Sequence, residues 1–331
     1  MGMPRFVLAL TWPRGGIDDL TMTDSNEPTP PPEATTPRSD VSEKPKRAAG
    51  DSFRSIAHAT SMVPVVVAEG AGDVLERVGG DTRGLFSYFG GLSRLAFSFF
   101  RVLWKRPFGM SEILAQCESI GIKSLPIATL ILFFVGLVFA LQFGLTLQTM
   151  GAVPYLGKVT GLSVVRELGP VFTAIVVGSR VGAGMAAEIG SMRVTEQVDA
   201  IRALGADPIK KLVVPRVIAT TIMLPFVALF ADITGIIGGM LISYLEFDLS
   251  MLHFYKSVVT TVRATDFVSG FTKPYFFGFG IAIIGCYEGL HCGLGTEGVG
   301  RATTRTVVNV SIMVVLVDFF LTKVMTLVPR I

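Results

Sequence analysis

The sequence predicts an all-α integral membrane protein with an interfacial N-terminal helix followed by five transmembrane helices. Of its 331 residues 50% are hydrophobic and only 17% are charged, and the mean hydropathy is +0.58. Soluble domains usually carry about 25% charged residues. Several apolar runs reach about 20 residues, which as helix matches the thickness of a bilayer core. The net charge of +3 is too small to indicate a nucleic-acid partner, and three cysteines give no disulfide framework.

The chain divides into three parts. Residues 1–60 form a polar tail rich in Pro, Ser and Thr, which is predicted to be disordered because it has too few apolar side chains to bury. Residues 61–122 form an N-terminal segment in which 85–104 combines aromatic residues with scattered arginines. That mixture favours a helix lying in the membrane interface, and a first spanning helix over the same residues is the alternative. Residues 123–331 form the five-span domain.

The five spans are predicted from the longest apolar runs, at 127–147, 168–187, 213–244, 268–287 and 307–328. The third run is too long for one straight crossing and is therefore tilted or emerges beyond the bilayer. Gly178 and Gly182 in the second span have a spacing that permits close helix packing, against a neighbouring helix or a second copy of the chain. Gly235 and Gly239 repeat this spacing in the third span.

Lys and Arg near the span ends predict the orientation. Ten of them lie on the side of the N-terminus and six on the opposite side. Because cytoplasmic loops carry the excess of positive charge, the N-terminus is predicted to be cytoplasmic and the C-terminus periplasmic. An odd number of spans agrees with this arrangement.

Residues 188–204 follow the second span and have an amphipathic pattern. Apolar residues recur at multiples of three and share one broad helix face: Ile189, Met192, Val198, Ile201 and Leu204. Gly205 suits a C-cap, and Asp207-Pro208 ends the helix. The pattern alone fits either an ordinary interfacial helix or a helix that transmits force to a soluble partner.

Four ionisable residues fall within the predicted spans, namely Arg180, Asp232, Asp318 and Lys323. Such residues form a proton relay, pair with each other inside the protein or lie at the contact between two copies of the chain. The segment 151–158, GAVPYLGK, departs from a phosphate-binding loop in its glycine spacing and lacks the Ser or Thr that must follow Lys158. We therefore expect no nucleotide site, no metal site and no catalytic activity in this chain.

Four motifs occur in a characteristic order: RELGP at 166–170, AAEIGSM at 186–192, EQVDAIRALGADP at 196–208 and EGVGRATTRTVV at 297–308. In this order they resemble the MlaE-type permeases of ABC lipid transporters, over most of the chain from about residue 85. The resemblance implies a permease subunit that moves phospholipid or a related lipid between the inner and outer membranes. A stand-alone, ion-coupled secondary transporter is the alternative, because of the charges within the spans.

The resemblance also implies partners and a location. The permease acts as a homodimer in the bacterial inner membrane, as a multi-pass protein. A separate ABC ATPase hydrolyses ATP, an MCE-domain protein lies in the periplasm, and a STAS-domain protein is an accessory subunit. No cofactor is implied.

Two groups of site residues follow from the resemblance. Arg166, Glu167 and Lys273 would meet a phospholipid headgroup, whose phosphate suits Arg and Lys, while Leu141 and Tyr155 would contact the acyl chains. A simple interfacial anchor pair is the alternative for Arg166 and Glu167. The residues implied for contact with the ATPase lie in the helix at 188–204: Glu188, Met192, Glu196, Gln197, Asp199, Ile201 and Leu204.

Overall fold

The computed structural model describes residues 86–104 and 109–327. The predicted disordered tail, 1–60, and the N-terminal segment up to residue 85 lie outside the described residues. Every regular element within the described ranges is helical, which confirms the all-α class. We number the α-helices in chain order, and the first of them, α1, covers residues 86–103.

The remaining α-helices are α2 Met110–Ile120, α3 Leu125–Thr149, α4 Leu156–Ser163, α5 Gly169–Val194, α6 Gln197–Ala203, α7 Val214–Phe247, α8 Met251–Thr261, α9 Ala264–Leu290 and α10 Gly295–Leu327. Five segments of the described chain are long and apolar enough to cross a membrane, as predicted: Met110–Thr149, Val153–Val194, Ile209–Phe247, Ala264–Leu290 and Gly295–Leu327. Each extends beyond the apolar run that predicted it, because amphipathic turns continue the helix at its ends. The 34 residues of α7 amount to about 50 Å, longer than a bilayer core.

α3 and α7 pack backbone against backbone. A Cβ at Gly136 of α3 would overlap the carbonyl oxygen of Gly235, and one at Gly238 would overlap the carbonyl oxygen of Phe133. Small residues allow this close approach. In a membrane, lipid chains are as apolar as the side chains, so van der Waals packing of this kind stabilises the contact between helices. The glycine spacing in the third span therefore serves packing against the first.

α5 lies inside the bundle and packs against α7, α9 and α10. A Cβ at Gly178 would lie 2.8 Å from Ile281 Cδ1, and one at Gly182 would lie 3.1 Å from Thr306 Cγ2. The close neighbours of this glycine pair are thus α9 and α10 of the same chain. The alternative of a second copy at these two glycines is wrong, because this face of α5 is already covered.

α1 rests on the bundle through one face. Leu95, Phe99 and Val102 are buried, and the rings of Phe99 and Phe100 lie 5.9 Å and 5.6 Å from the ring of Phe279 on α9. Phe86, Phe89 and Phe97 are exposed, and Phe100, which lies at the edge of the contact with α9, is 52% exposed. α1 is not among the five segments that could span a membrane, so its placement in the interface stays the favoured prediction.

α4 and α8 pack against each other beyond the ends of α3 and α7. Leu156 and Phe254 are fully buried there and form a second, smaller apolar cluster with Val258. Because α4 follows α3 and α8 follows α7, both short helices lie where the first and third spans end. This is the side that the charge distribution predicts to be periplasmic.

The packing of α3 on α7 is tested by Gly136→Ala. The added methyl group overlaps the Gly235 carbonyl, so we expect a loss of about 1–3 kcal/mol, as for other overpacked sites. Gly300→Ala is the control, because nothing lies within 4 Å of its Cβ position inside α10, and alanine favours helix. Thermal unfolding of the detergent-purified variants measures both. An unfolding temperature for Gly136→Ala equal to that of Gly300→Ala would contradict the packing.

Candidate functional site

Lys273 is the centre of a buried charged cluster. Its side chain on α9 is fully buried, and its Nζ lies 2.5 Å from Glu167 Oε2 and 3.0 Å from Asp318 Oδ1. It also donates a hydrogen bond to Thr322 Oγ1 at 2.8 Å, and Thr322 donates to Glu167 Oε2 at 3.2 Å. The contact with Asp318 Oδ1 is an ion pair without hydrogen-bond geometry. The cluster joins α5, α9 and α10.

Arg166 extends this cluster toward solvent. Its Nη1 lies 3.7 Å from Asp266 Oδ1 at the start of α9. The side chains of Arg166 and Glu167 are 26% and 38% exposed, whereas that of Lys273 is 1% exposed. Arg166 and Glu167 are therefore accessible from outside the bundle, while Lys273 is enclosed by its partners and holds Glu167 in place.

A π-helical turn presents these residues. The sequence predicted that the second span begins at Leu168, with Arg166 and Glu167 outside it, but Val153–Val194 is one helical segment. Val164–Leu168 form a π-helix that leads into α5. Pro170 lacks an N–H, and the wider turn before it lets the helix continue without that hydrogen bond. Arg166 and Glu167 thus lie inside a helical segment rather than at its end.

The two predicted acyl-chain contacts lie on other elements than the cluster. Leu141 is half-buried on α3, and Tyr155 precedes α4, about 16 Å of helix before Arg166. The Tyr155 ring contacts the Lys158 ammonium, 5.0 Å from its centroid. The structure brings Glu167 and Lys273 into contact, with Arg166 next to Glu167 in the chain, and the role of Leu141 and Tyr155 stays a prediction.

The predicted coupling helix at 188–204 is divided into two. α5 continues through Glu188 and Met192 to Val194, and α6 begins only at Gln197. The break occurs at Glu196, whose φ of 59° is left-handed and therefore ends helical hydrogen bonding there. The prediction of one continuous helix was wrong, because the apolar spacing runs on across the break.

α6 is attached to the bundle by a narrow apolar face. Val198 is buried and Ile201 is partly buried against the core. Glu196, Gln197 and Asp199 are exposed, and Leu204 is 85% exposed. These four residues of the seven predicted to contact the ATPase lie on the open surface of α6, and a fifth, Glu188 on α5, is also exposed.

The other three predicted contacts also connect elements of the bundle, although the side chain of Glu188 is 59% exposed. Glu188 lies on α5 and pairs with the buried Arg216 of α7 at 2.9 Å, and Met192 packs against the core as Ile201 does. Arg193 donates a hydrogen bond to the Leu290 carbonyl at the end of α9. Sequence analysis missed Arg193 and Arg216, although Arg216 interrupts the apolar run of the third span and was therefore detectable.

The four in-span ionisable residues do not form one chain. Asp318 pairs with Lys273, which confirms pairing for this residue. Arg180 donates to Ser124 Oγ at 2.7 Å, and Lys323 is exposed. Asp232 is 9% exposed. Among the described residues, no three His, Cys, Asp or Glu side chains are placed to hold a metal ion.

Five apolar helical segments in the described chain, a buried charged cluster and an exposed helix between the second and third spans define a multi-pass, all-helical membrane protein. Residues 113–324 match the model of the family described as permease MlaE. The chain belongs to this family of ABC transporter permeases, which confirms the resemblance found in its motifs.

Individual relatives agree with the family. A probable ABC transporter permease protein of Rickettsia prowazekii (strain Madrid E) is 43% identical over 229 residues, 69% of this chain and 88% of the relative. The intermembrane phospholipid transport system permease protein MlaE of Haemophilus influenzae is 33% identical over 245 residues, 73% of this chain and 94% of the relative. The chloroplastic protein TRIGALACTOSYLDIACYLGLYCEROL 1 of Arabidopsis thaliana is 39% identical over 210 residues, 63% of this chain and 60% of the relative.

The charged cluster is tested by Lys273→Met. Removing the ammonium leaves two carboxylates without their partner, and breaking a buried pair in this way costs about 3–5 kcal/mol. We expect a large fall in unfolding temperature, part of which Asp318→Asn in the same chain restores by removing one of the orphaned charges.

Lys256→Met is the matched control, since Lys256 is exposed on α8. Thermal unfolding in detergent compares the three variants. If Lys273→Met were no less stable than Lys256→Met, or if Asp318→Asn gave no recovery, Lys273 would not be holding the helices together.

Proposed function

We propose that this chain is the membrane-embedded subunit of an ABC transporter that moves phospholipid between the inner and outer membranes. Two copies form the lipid pathway, each copy binds one ATPase through α6, and an MCE-domain protein receives or delivers lipid on the periplasmic side. The printed name of the Haemophilus influenzae relative supports phospholipid as the substrate class. A STAS-domain accessory protein is proposed from the family resemblance alone.

The exposed surface of α6 carries this proposal. Residues 195–207 are exposed apart from Val198 and Ile201, which attach the segment to the bundle. Leu204, with 85% of its surface exposed, is an apolar residue at the tip of a charged helix. Apolar side chains surrounded by polar ones are typical of the centre of a protein interface, so α6 is suited to enter a cleft of a partner.

Contacts behind α6 connect it to three spans. α5 leads directly into it, Glu188 and Arg216 join α5 to α7, and Arg193 joins α5 to the end of α9. Force applied to α6 therefore reaches α5, α7 and α9. This arrangement supports ATP-driven movement of the spans by a separate motor subunit.

The charged cluster supports an amphipathic substrate. Arg166 is partly exposed and can bind a phosphate, and Glu167 is fixed beside it by Lys273. Headgroup contact at this pair would bring the lipid to the π-turn of the second span. Movement of that span would then change the position of the headgroup.

The coupling role of α6 is tested by Leu204→Asp. Because Leu204 contacts solvent in this chain, its replacement leaves folding unchanged but places a charge at the centre of the proposed interface. Loss of a central apolar contact weakens binding by about tenfold or more. Co-purification of a co-expressed ABC ATPase from the same organism, together with lipid-stimulated ATP hydrolysis, measures the effect.

Leu294→Asp is the control, because Leu294 is 91% exposed in the loop before α10. Normal recovery of the ATPase with Leu204→Asp, or equal loss with both variants, would refute a specific role for α6. Lipid transport by the purified chain driven by a proton gradient without an ATPase would instead favour the stand-alone secondary transporter.

A further inference from the structure

A crevice of about 390 Å³ opens between α7, α8 and α9. This volume falls within the range of about 300–1,000 Å³ that is usual for sites that bind small molecules. Its walls are mainly apolar and are contributed by all three helices: Leu229, Ile233, Ile236, Val258, Val259 and Phe267. The charged cluster around Lys273 does not line it.

The mouth of the crevice is itself apolar. Ile233, Val259 and Phe267 are 48%, 56% and 43% exposed. α7 and α9 belong to segments apolar enough to cross a membrane, and exposed apolar side chains on such helices face lipid. The crevice therefore opens sideways toward the bilayer, which makes a membrane lipid its natural occupant.

Asp232 lies at the floor of this apolar crevice. The residue is 9% exposed, and its Oδ1 is buried without a hydrogen-bond partner in the described part of the chain. A Cβ at Gly169 would overlap Oδ1, so this oxygen faces the start of α5, and Oδ2 is the carboxyl oxygen left for the crevice that Asp232 lines. A buried acceptor without a partner is rare and costly, and one placed within a span indicates function.

Arg263 lies at the rim of the same crevice, immediately before α9. Its backbone N–H donates to Asp266 Oδ2 at 3.1 Å. None of the ion pairs found within residues 86–104 and 109–327 involves its guanidinium. The crevice thus combines an acceptor at its floor, a cation at its rim and apolar walls between them.

We propose that this crevice binds one phospholipid whose headgroup carries N–H donors, as in phosphatidylethanolamine. The Arg263 guanidinium binds the phosphate, the ammonium donates to the Asp232 carboxyl group, and an acyl chain lies along the apolar walls. Val165 of the π-turn also lines the crevice, next in sequence to Arg166. A lipid bound here is therefore adjacent to the predicted headgroup pair Arg166 and Glu167, and the crevice is a lateral access site.

Native mass spectrometry of the detergent-purified chain tests this site without any ATPase. The probes are dioleoylphosphatidylethanolamine and dioleoylphosphatidylcholine, because the trimethylammonium group of the latter has no N–H. We expect one lipid per chain to be bound with about a tenfold preference for the ethanolamine headgroup, as one charge-assisted hydrogen bond provides. Asp232→Leu should abolish this preference while the chain stays folded, since it removes an unpartnered acceptor.

Controls locate the effect. Glu246→Leu changes an exposed carboxylate further along α7 and should keep the preference. Arg263→Gln should weaken the binding of both lipids, whereas Lys256→Gln, at an exposed position, should leave the binding of both lipids unchanged. Val259→Trp, at an exposed position, should fill the crevice and remove one lipid per chain.

Equal binding of the two lipids by the unmodified chain would overturn the proposal. So would a preference that persists in Asp232→Leu, or unchanged lipid binding in Val259→Trp. Because the assay contains no ATPase, each of these results would leave the proposed coupling through α6 standing.

Discussion

The arrangement of helices at the centre of this bundle depends on the partners that neutralise the buried ammonium of Lys273. A charge without solvent must be paired and hydrogen-bonded, and here the partners come from two other helices: Glu167 from the segment that leads into α5, and Asp318 with Thr322 from α10. The three helices cannot slide past one another without separating these groups. The relative positions of these helices are therefore determined at the level of Lys273. The π-turn contains Glu167 and places its carboxylate against the Lys273 ammonium.

Glycine contacts reinforce the same region. A Cβ at Gly270 of α9 would overlap the Val165 carbonyl in the π-turn, and one at Gly169 would overlap Asp232 of α7. Close backbone approach and buried charge thus coincide around residues 164–169. Both kinds of contact depend on atomic positions to within a fraction of an ångström. Small movements of these helices therefore disturb the packing around residues 164–169.

The sequence was sufficient for the spans and for the family, because apolar runs of membrane length and ordered motifs are local patterns. It was insufficient where contacts between helices determine the local structure. The apolar spacing across residues 188–204 gave no sign that Glu196 breaks the helix, and the apolar run from Leu168 gave no sign that a π-turn continues the helix before it. Lys273 and Glu167 were assigned to one site through the resemblance, but their pairing with each other and with Asp318 depends on how α5, α9 and α10 assemble.

The break at Glu196 has a mechanical consequence under the proposed function. A continuous helix would extend α5 in a straight line, whereas the left-handed residue between them turns α6 away from α5, and Val198 and Ile201 attach α6 to the bundle. Displacement then passes to α7 through Arg216 and to α9 through the Leu290 carbonyl. Along α5 it travels about 40 Å to Glu167, where the π-turn is the point at which helical register is already altered. The far end of this path is the charged cluster, so under the proposed function a motor at α6 would act on Glu167 and its partners.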